Sequence, residues 1–367
     1  MSWGDSMEVD FGAGPATVPV WTQQVDLSGG KGAIPVPADG PVDWSALDKF
    51  PSAMSISWSG PDRGMLAALV ARGMPALRWS DLPADVDLSA TGLVNLGLHG
   101  TDLRRLRLPA GVESLSMDDP HPTLRVESPD DGRGTEVLLR FSEQPPAVPA
   151  GLRNARKVWV KVGGEFSARL LSSLAAAESL DVEFLDPPGR LTDTEALRVH
   201  HGLTTLTIDN AYDWDPSSLP DLPALRELEL NGTLKATAKT LKARFKGTGV
   251  TVSVSGAKSD SWVSAHIDNP FLDWVEDSKA FGTAACKAYV KASTAVDGLP
   301  ADAPDRLERA EAVLRAFVAD LNAVEKKYGL IDTLNREHAG DVFDDLAKRA
   351  GVPDDTARRW FDENRHF

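Results

Sequence analysis

An α/β solenoid followed by a small all-α helical bundle is the fold class this sequence predicts, and three observations predict it. A Leu-x-x-Leu-x-Leu pattern recurs over the first two thirds of the chain, clearest at 93–98, 103–108, 203–208 and 225–230. Apolar-x-apolar cores return every 19 to 26 residues between residues 54 and 254. Beyond residue 262 the apolar spacing changes to the 3–4 pattern of helices. A unit of about twenty residues cannot bury its apolar face alone, so neighbouring units stack and share one core.

Residues 1–43 are rich in Gly, Pro, Val and polar residues and read as a tail and N-terminal cap, with a capping strand expected at 33–36. A solenoid needs such an atypical end to shield its core. The solenoid then spans 44–261, with about ten short parallel strands. Their cores are Met54/Ile56, Leu77/Trp79, Leu96/Leu98, Leu115/Met117, Leu139/Phe141, Val158/Val160, Leu180/Val182, Leu206/Ile208, Leu228/Leu230 and Val252/Val254. Alternation turns these side chains inward and the intervening residues to the opposite, concave face. Leu106/Leu108 and Leu124/Val126 fall between beats and are expected as apolar turns on the convex side. Return segments 63–72, 167–177, 192–200 and 236–245 have helical composition, whereas 83–86 and 145–151 look extended or turn-like.

The pattern resembles the leucine-rich-repeat family over about residues 44–255. The family's Asn three positions after the last Leu is missing, being Thr101, Ala211 and Thr233 in the best repeats. Side-chain bonding to the loop backbone is therefore expected to be irregular.

Residues 262–367 form the helical domain. Asn269-Pro270-Phe271 reads as a junction, and helices are expected at 277–294, 304–328, 337–350 and 354–364. The second carries apolar residues in unbroken 3–4 spacing from Leu307 to Tyr328, with Pro304 in its first turn. That seam could pair within the bundle or between chains, so oligomeric state stays open. The join at 269–274 and the ending through Glu363 look like the C-terminal unit of actinobacterial leucine-rich-repeat proteins.

A net charge of −15 argues against binding nucleic acid or an anionic membrane through the whole-protein field. Cys286 is the only cysteine, which excludes a disulfide-stapled scaffold. The N-terminus lacks the basic start and apolar core of a signal peptide, and no stretch reaches the length of a membrane span. A cytoplasmic protein is expected.

Between the inward leucines the concave face separates by charge. Arg140, Lys157 and Lys161 make its middle basic around Trp159, expected to be exposed, while Asp181, Glu183, Asp209, Glu227 and Glu229 make the C-terminal third acidic. Any solvated sheet face carries polar residues, but segregation by sign around a central Trp points to a partner surface, since Trp and Arg dominate binding energy at interfaces. The stretch from Asp209 to Asp215 mixes aromatics with carboxylates. It lacks the Gly and terminal Glu of a calcium loop and is expected to be structural, with Trp214 packed under the next repeat.

The helical domain offers two further sites. Ala347, Gly351 and Ala357 have helix-turn-helix spacing, with Arg358 and Arg359 available to phosphates. Asp354 and Asp355 begin the second helix, however, and the domain holds 14 Lys and Arg against 20 Asp and Glu. A hairpin closed by Gly351 and capped by Asp354 explains the spacing as well. Some bacterial leucine-rich-repeat proteins carry a ubiquitin-ligase domain with a nucleophilic Cys followed two positions later by Asp. Here Ala288 stands at that place, and Cys286 reads as structural. No metal-ligand set, phosphate loop or dinucleotide fingerprint is present, and no cofactor is expected.

The expected function is a non-enzymatic scaffold that binds a protein or peptide partner on the concave face. The alternatives are a helix-turn-helix regulator and an enzyme with an unrecognised site. A salt-dependent DNA shift would favour the first alternative, and a Cys286 more reactive than a free thiol the second.

Overall fold

The computed structural model describes every residue except 1–4, 144, 146, 268 and 301–303, and only the backbone of 264–266. The chain divides into two compact units, Met1–Ala257 and Lys258–Phe367, each with its own apolar core.

In the first unit each apolar-x-apolar core forms a strand, because alternation places its large side chains on one face and stacking removes them from water. Among the described residues eleven parallel strands pair in chain order in one sheet. They are β1 (Gln24–Leu27), β2 (Ser55–Ser59), β3 (Ala76–Ser80), β4 (Asn95–His99), β5 (Ser114–Asp118) and β6 (Glu136–Phe141). Then follow β7 (Lys157–Val162), β8 (Ser179–Phe184), β9 (Thr205–Asp209), β10 (Glu227–Asn231) and β11 (Thr251–Ser255). Leu77, Leu96, Leu115, Val137, Val158, Leu180, Leu206 and Leu228 are successive register partners, all buried. Burying a side chain of this size stabilises the fold by about 1.5–3 kcal/mol. The architecture is a leucine-rich-repeat solenoid followed by helices.

Several expectations shift. The first core pair is Ile56/Trp58, in register with Leu77/Trp79, while Met54 precedes the strand and is 57% exposed. The fifth is Val137/Leu139, with Phe141 extending the strand. Both errors are of two residues, so the inward parity survives. Alternation fixes which face a side chain takes, and the neighbouring ladder fixes where pairing begins. The edge strand is β1, inside the segment read as tail. Residues 33–36 form no strand; the Ile34 N–H instead donates to the Asp26 carbonyl at 2.8 Å, beside that edge. An antiparallel hairpin of Ser6–Val9 with Ala16–Pro19 precedes it. Phe11 and Trp58 pack edge-on against Trp44, centroids 6.2 and 5.2 Å away, closing this end of the core with aromatics.

The residues between beats are strands rather than turns. Leu106 and Val126 belong to a short parallel sheet of Asp85–Asp87, Arg105–Arg107 and Arg125–Glu127. A third sheet joins Glu165–Ser167, Gly189–Thr192 and Ala211–Asp213. Helical return segments are α1 (Met65–Arg72), α2 (Lys235–Arg244) and the 3-10 turns Ala168–Leu174 and Thr194–Val199. Loop bonding is irregular and falls one position before the missing Asn. Asp119 and Asn210 leave their strands in left-handed conformation. Asp119 accepts from the Ser142 N–H and hydroxyl, both at 2.7 Å, and the Asn210 amide donates to the Phe184 carbonyl at 3.2 Å.

The second unit comprises α3 (Asp260–His266), α4 (Trp274–Asp277), α5 (Lys279–Asp297), α6 (Arg306–Tyr328), α7 (Thr333–Ala350) and α8 (Asp354–Asn364). Ala310, Leu314, Phe317 and Leu321 of the α6 seam are buried, but Leu307 in the first turn is 51% exposed. The supposed junction is part of this core. The buried Asn269 side chain donates to the Cys286 carbonyl at 2.9 Å and accepts from the Phe271 N–H at 3.0 Å. Gly351 closes α7 in left-handed conformation, while Pro353, with no side-chain cap, precedes α8 in place of the expected Asp354 cap. Among the described residues no helix is long and apolar enough to cross a membrane.

Candidate functional site

The face of the long sheet turned from its core is built from three residues per strand, and parallel pairing aligns them in rows. One row runs Arg78, Gly97, Ser116, Leu138, Trp159, Asp181, Thr207 and Glu229. The next runs Ser80, His99, Asp118, Arg140, Lys161, Glu183, Asp209 and Asn231. All nine residues singled out in the sequence lie on this face, Lys157 and Glu227 in a third row with Glu136.

Their surroundings differ from what the sequence suggested. Trp159 is half-buried rather than exposed, since its register neighbours Leu138 and Asp181 flank it on both sides. Two of the three basic residues are neutralised across the ladder. Lys157 pairs with Glu136 at 2.5 Å, and Lys161 with Glu183 at 2.6 Å. Among the described residues the Arg140 guanidinium makes no ion pair or hydrogen bond, and neither does that of Arg78. Glu136 joins this face because β6 begins two residues before the position that the apolar spacing predicts.

The acidic third is under electrostatic load. Burial, then Asp209 and Glu183, push the Asp181 carboxyl up to about 6, and Lys161 only partly opposes this. Burial also raises Asp209, against the Asn231 amide that donates to it at 2.8 Å. The folded Asp181 holds its proton where the unfolded chain has lost it, so its contribution to stability falls as pH rises from 3.8 to about 6. Asp181→Asn is therefore expected to stabilise the protein at pH 7 by on the order of 1 kcal/mol, because solvent screens a half-buried group. The gain disappears below pH 4 in urea titrations; an unchanged or lowered midpoint at pH 7 contradicts the account. Burial lowers the pKa of His200, beside the Leu174 and Ala175 carbonyls but outside hydrogen-bond geometry to them, and that acts in the opposite sense below pH 6.5. Comparing variant with wild type at each pH isolates Asp181.

A cavity of about 750 Å³ lies on the N-terminal half of this face, over β1 to β7. Small residues Gly97, Ser114 and Ser116 line it, with Arg78, Arg140 and Leu138 around them. A Cβ on Gly97 would lie 3.3 Å from the Arg78 Cγ, so the Arg78 stem extends over a floor left open by glycine. Of the nine residues read from the sequence, only Arg140 and Lys161 line this cavity. Gly97, Ser114 and Ser116 fall on the concave face by their place in the repeat, but nothing marks them as a site, because a site made by the absence of side chains leaves no chemical signature in a sequence.

Trp214 and Tyr212 are buried, and the Asp215 carboxylate caps a turn by accepting from the Ser217 N–H at 2.9 Å. Cys286 is fully buried, and burial pushes its thiol up to about 11, away from the thiolate a nucleophile requires. Ala347 and Ala357 are buried in the helical core, with Arg358 and Arg359 exposed.

No family model and no curated protein matches the chain. Among solved structures it is similar to an internalin from Listeria monocytogenes, with 13% identity, a TM-score of 0.29 and coverage of 59% of this chain and 75% of the internalin.

Proposed function

We propose that this protein is a non-enzymatic interaction scaffold that binds a protein or peptide segment on the open face of the long sheet. The observation that carries this reading is the cavity of about 750 Å³ across β1 to β7, floored by small residues and bordered by guanidiniums that have no partner among the described residues. The nine residues Arg140, Lys157, Trp159, Lys161, Asp181, Glu183, Asp209, Glu227 and Glu229 belong to the same surface and extend it toward its acidic end. Trp159 and Leu138 supply a half-buried apolar patch on which a partner side chain loses water without further rearrangement. A bacterial, cytoplasmic setting rests on the C-terminal sequence motif and on the single, buried cysteine.

Ser116 sits on the cavity floor, so Ser116→Trp fills the site while leaving the inward core untouched. Affinity capture from the native host with wild type and this variant tests the reading. Partners retained by wild type are expected to be lost from the variant. Recovery of the same proteins in the same yield contradicts binding at this face.

A further inference from the structure

Arg78 and Arg140 stand apart from the other cations of the open face. Lys157 and Lys161 are each held by a carboxylate, whereas these two guanidiniums line the cavity with no donor engaged among the described residues. A guanidinium presents its N–H groups as a planar fork that matches a carboxylate bidentately. Arg78 and Arg140 lie three strands and two residues apart along the ladder. With strands about 4.8 Å apart and residues about 3.3 Å, their Cα atoms are separated by roughly 16 Å. An extended peptide covers that distance in about four to five residues. Next to Arg140 on its strand is Leu138, in register with Trp159, and both are half-buried.

We infer that the cavity receives an extended acidic peptide segment, with one carboxylate on Arg78, a second four or five residues away on Arg140, and an apolar side chain beside the second resting on Leu138 and Trp159. This rests on the reading of the open face as a peptide-binding surface. The cluster of Asp181, Glu183, Asp209 and Glu229 sets the limit of the acidic stretch, because further negative charge beyond β7 meets like charge. The net charge of −15 opposes an acidic partner at long range. Screening within about 8 Å at physiological salt leaves the contact between fork and carboxylate to decide.

The test uses a phage-displayed random dodecapeptide library selected against the full chain, against Arg78→Glu/Arg140→Glu, and against Ser116→Trp. Arg78 and Arg140 are exposed, and among the described residues their guanidiniums make no hydrogen bond or ion pair, so the charge reversal is expected to melt like wild type. Wild type is expected to enrich peptides carrying two Asp or Glu four or five residues apart with an apolar residue beside one. Those peptides are expected to bind the charge-reversed variant at least tenfold more weakly and Ser116→Trp not at all. Enriched peptides that Ser116→Trp excludes, but that lack the acidic pair or bind the charge-reversed variant equally well, overturn this inference and leave the binding face intact. No enrichment, or binding indifferent to Ser116→Trp, overturns the binding face and the inference with it.

Discussion

Gly151→Ala is expected to destabilise the solenoid by on the order of 4 kcal/mol, enough to remove a large share of the stability of an ordinary domain. Gly151 has φ +95°, and a Cβ there would lie 1.8 Å from the Val126 carbonyl oxygen. The obstruction is backbone, so no rotamer change relieves it. Val126 is fixed in turn by its N–H to the Ala150 carbonyl at 2.9 Å, while the Ala150 N–H donates to the Leu124 carbonyl at 3.2 Å. Making room for a methyl breaks both bonds, each worth about 1 kcal/mol, and an alanine held at that φ adds about 1–3 kcal/mol of strain. Urea unfolding followed by far-UV ellipticity measures the loss. A change below about 1 kcal/mol would show that the return segment moves freely there, against the packing described.

The repeat leucines made most of the solenoid legible, because burial on one face imposes a period of two within strands and about twenty between them. They did not fix strand ends. Met54 and Phe141 have the right parity and polarity, yet only the ladder to β3 and β5 decides that pairing starts at Ser55 and Glu136. The polar face was legible in composition and misleading in charge. Lys157 and Lys161 look like a basic centre along the chain, but their neutralising carboxylates, Glu136 and Glu183, come from adjacent strands about twenty residues away. Arg78, by contrast, falls on the concave face by its place in the repeat, but nothing in the sequence sets it apart from the other polar positions there. It matters because its neighbour across the ladder is Gly97 and because, among the described residues, no carboxylate pairs with it.

Charge along the open face and stability pull against each other. The acidic end holds Asp181, Asp209, Glu183 and Glu229 close enough that burial and mutual repulsion raise the carboxyl groups of Asp181 and Asp209. A surface selected for stability alone would place Asn or Thr at such positions, as the same face does at Thr205 and Thr207. Retaining carboxylates there at a cost in folding free energy fits a surface shaped for recognition, where a misplaced partner charge is penalised more strongly than the scaffold is stabilised.

Glycine in the helical unit provides the opposite test of propensity against packing. Ala is favoured over Gly within a helix by about 1 kcal/mol, so Gly→Ala on an unencumbered helix face raises stability. Gly340 in α7 meets that condition, since an added Cβ would lie 3.6 Å from the Phe361 Cε1, an ordinary van der Waals distance. Gly282 in α5 does not. There a Cβ would fall 2.3 Å from the Val275 nitrogen and 2.5 Å from the Trp274 carbonyl carbon, both backbone atoms of α4. The close approach lets Trp274 stack on Phe281 with centroids 5.0 Å apart and planes 2° from parallel, while its indole N–H donates to His338 Nδ1 at 3.2 Å. Alanine at 282 pushes α4 outward and loosens the Trp274 anchor, so the propensity gain is outweighed and a net loss of about 3 kcal/mol is expected. Gly340→Ala is expected to gain about 0.5 kcal/mol in the same urea titration. If the two variants shift the midpoint in the same direction, helix propensity governs both sites and the backbone contact between α4 and α5 is not the constraint that makes Gly282 necessary.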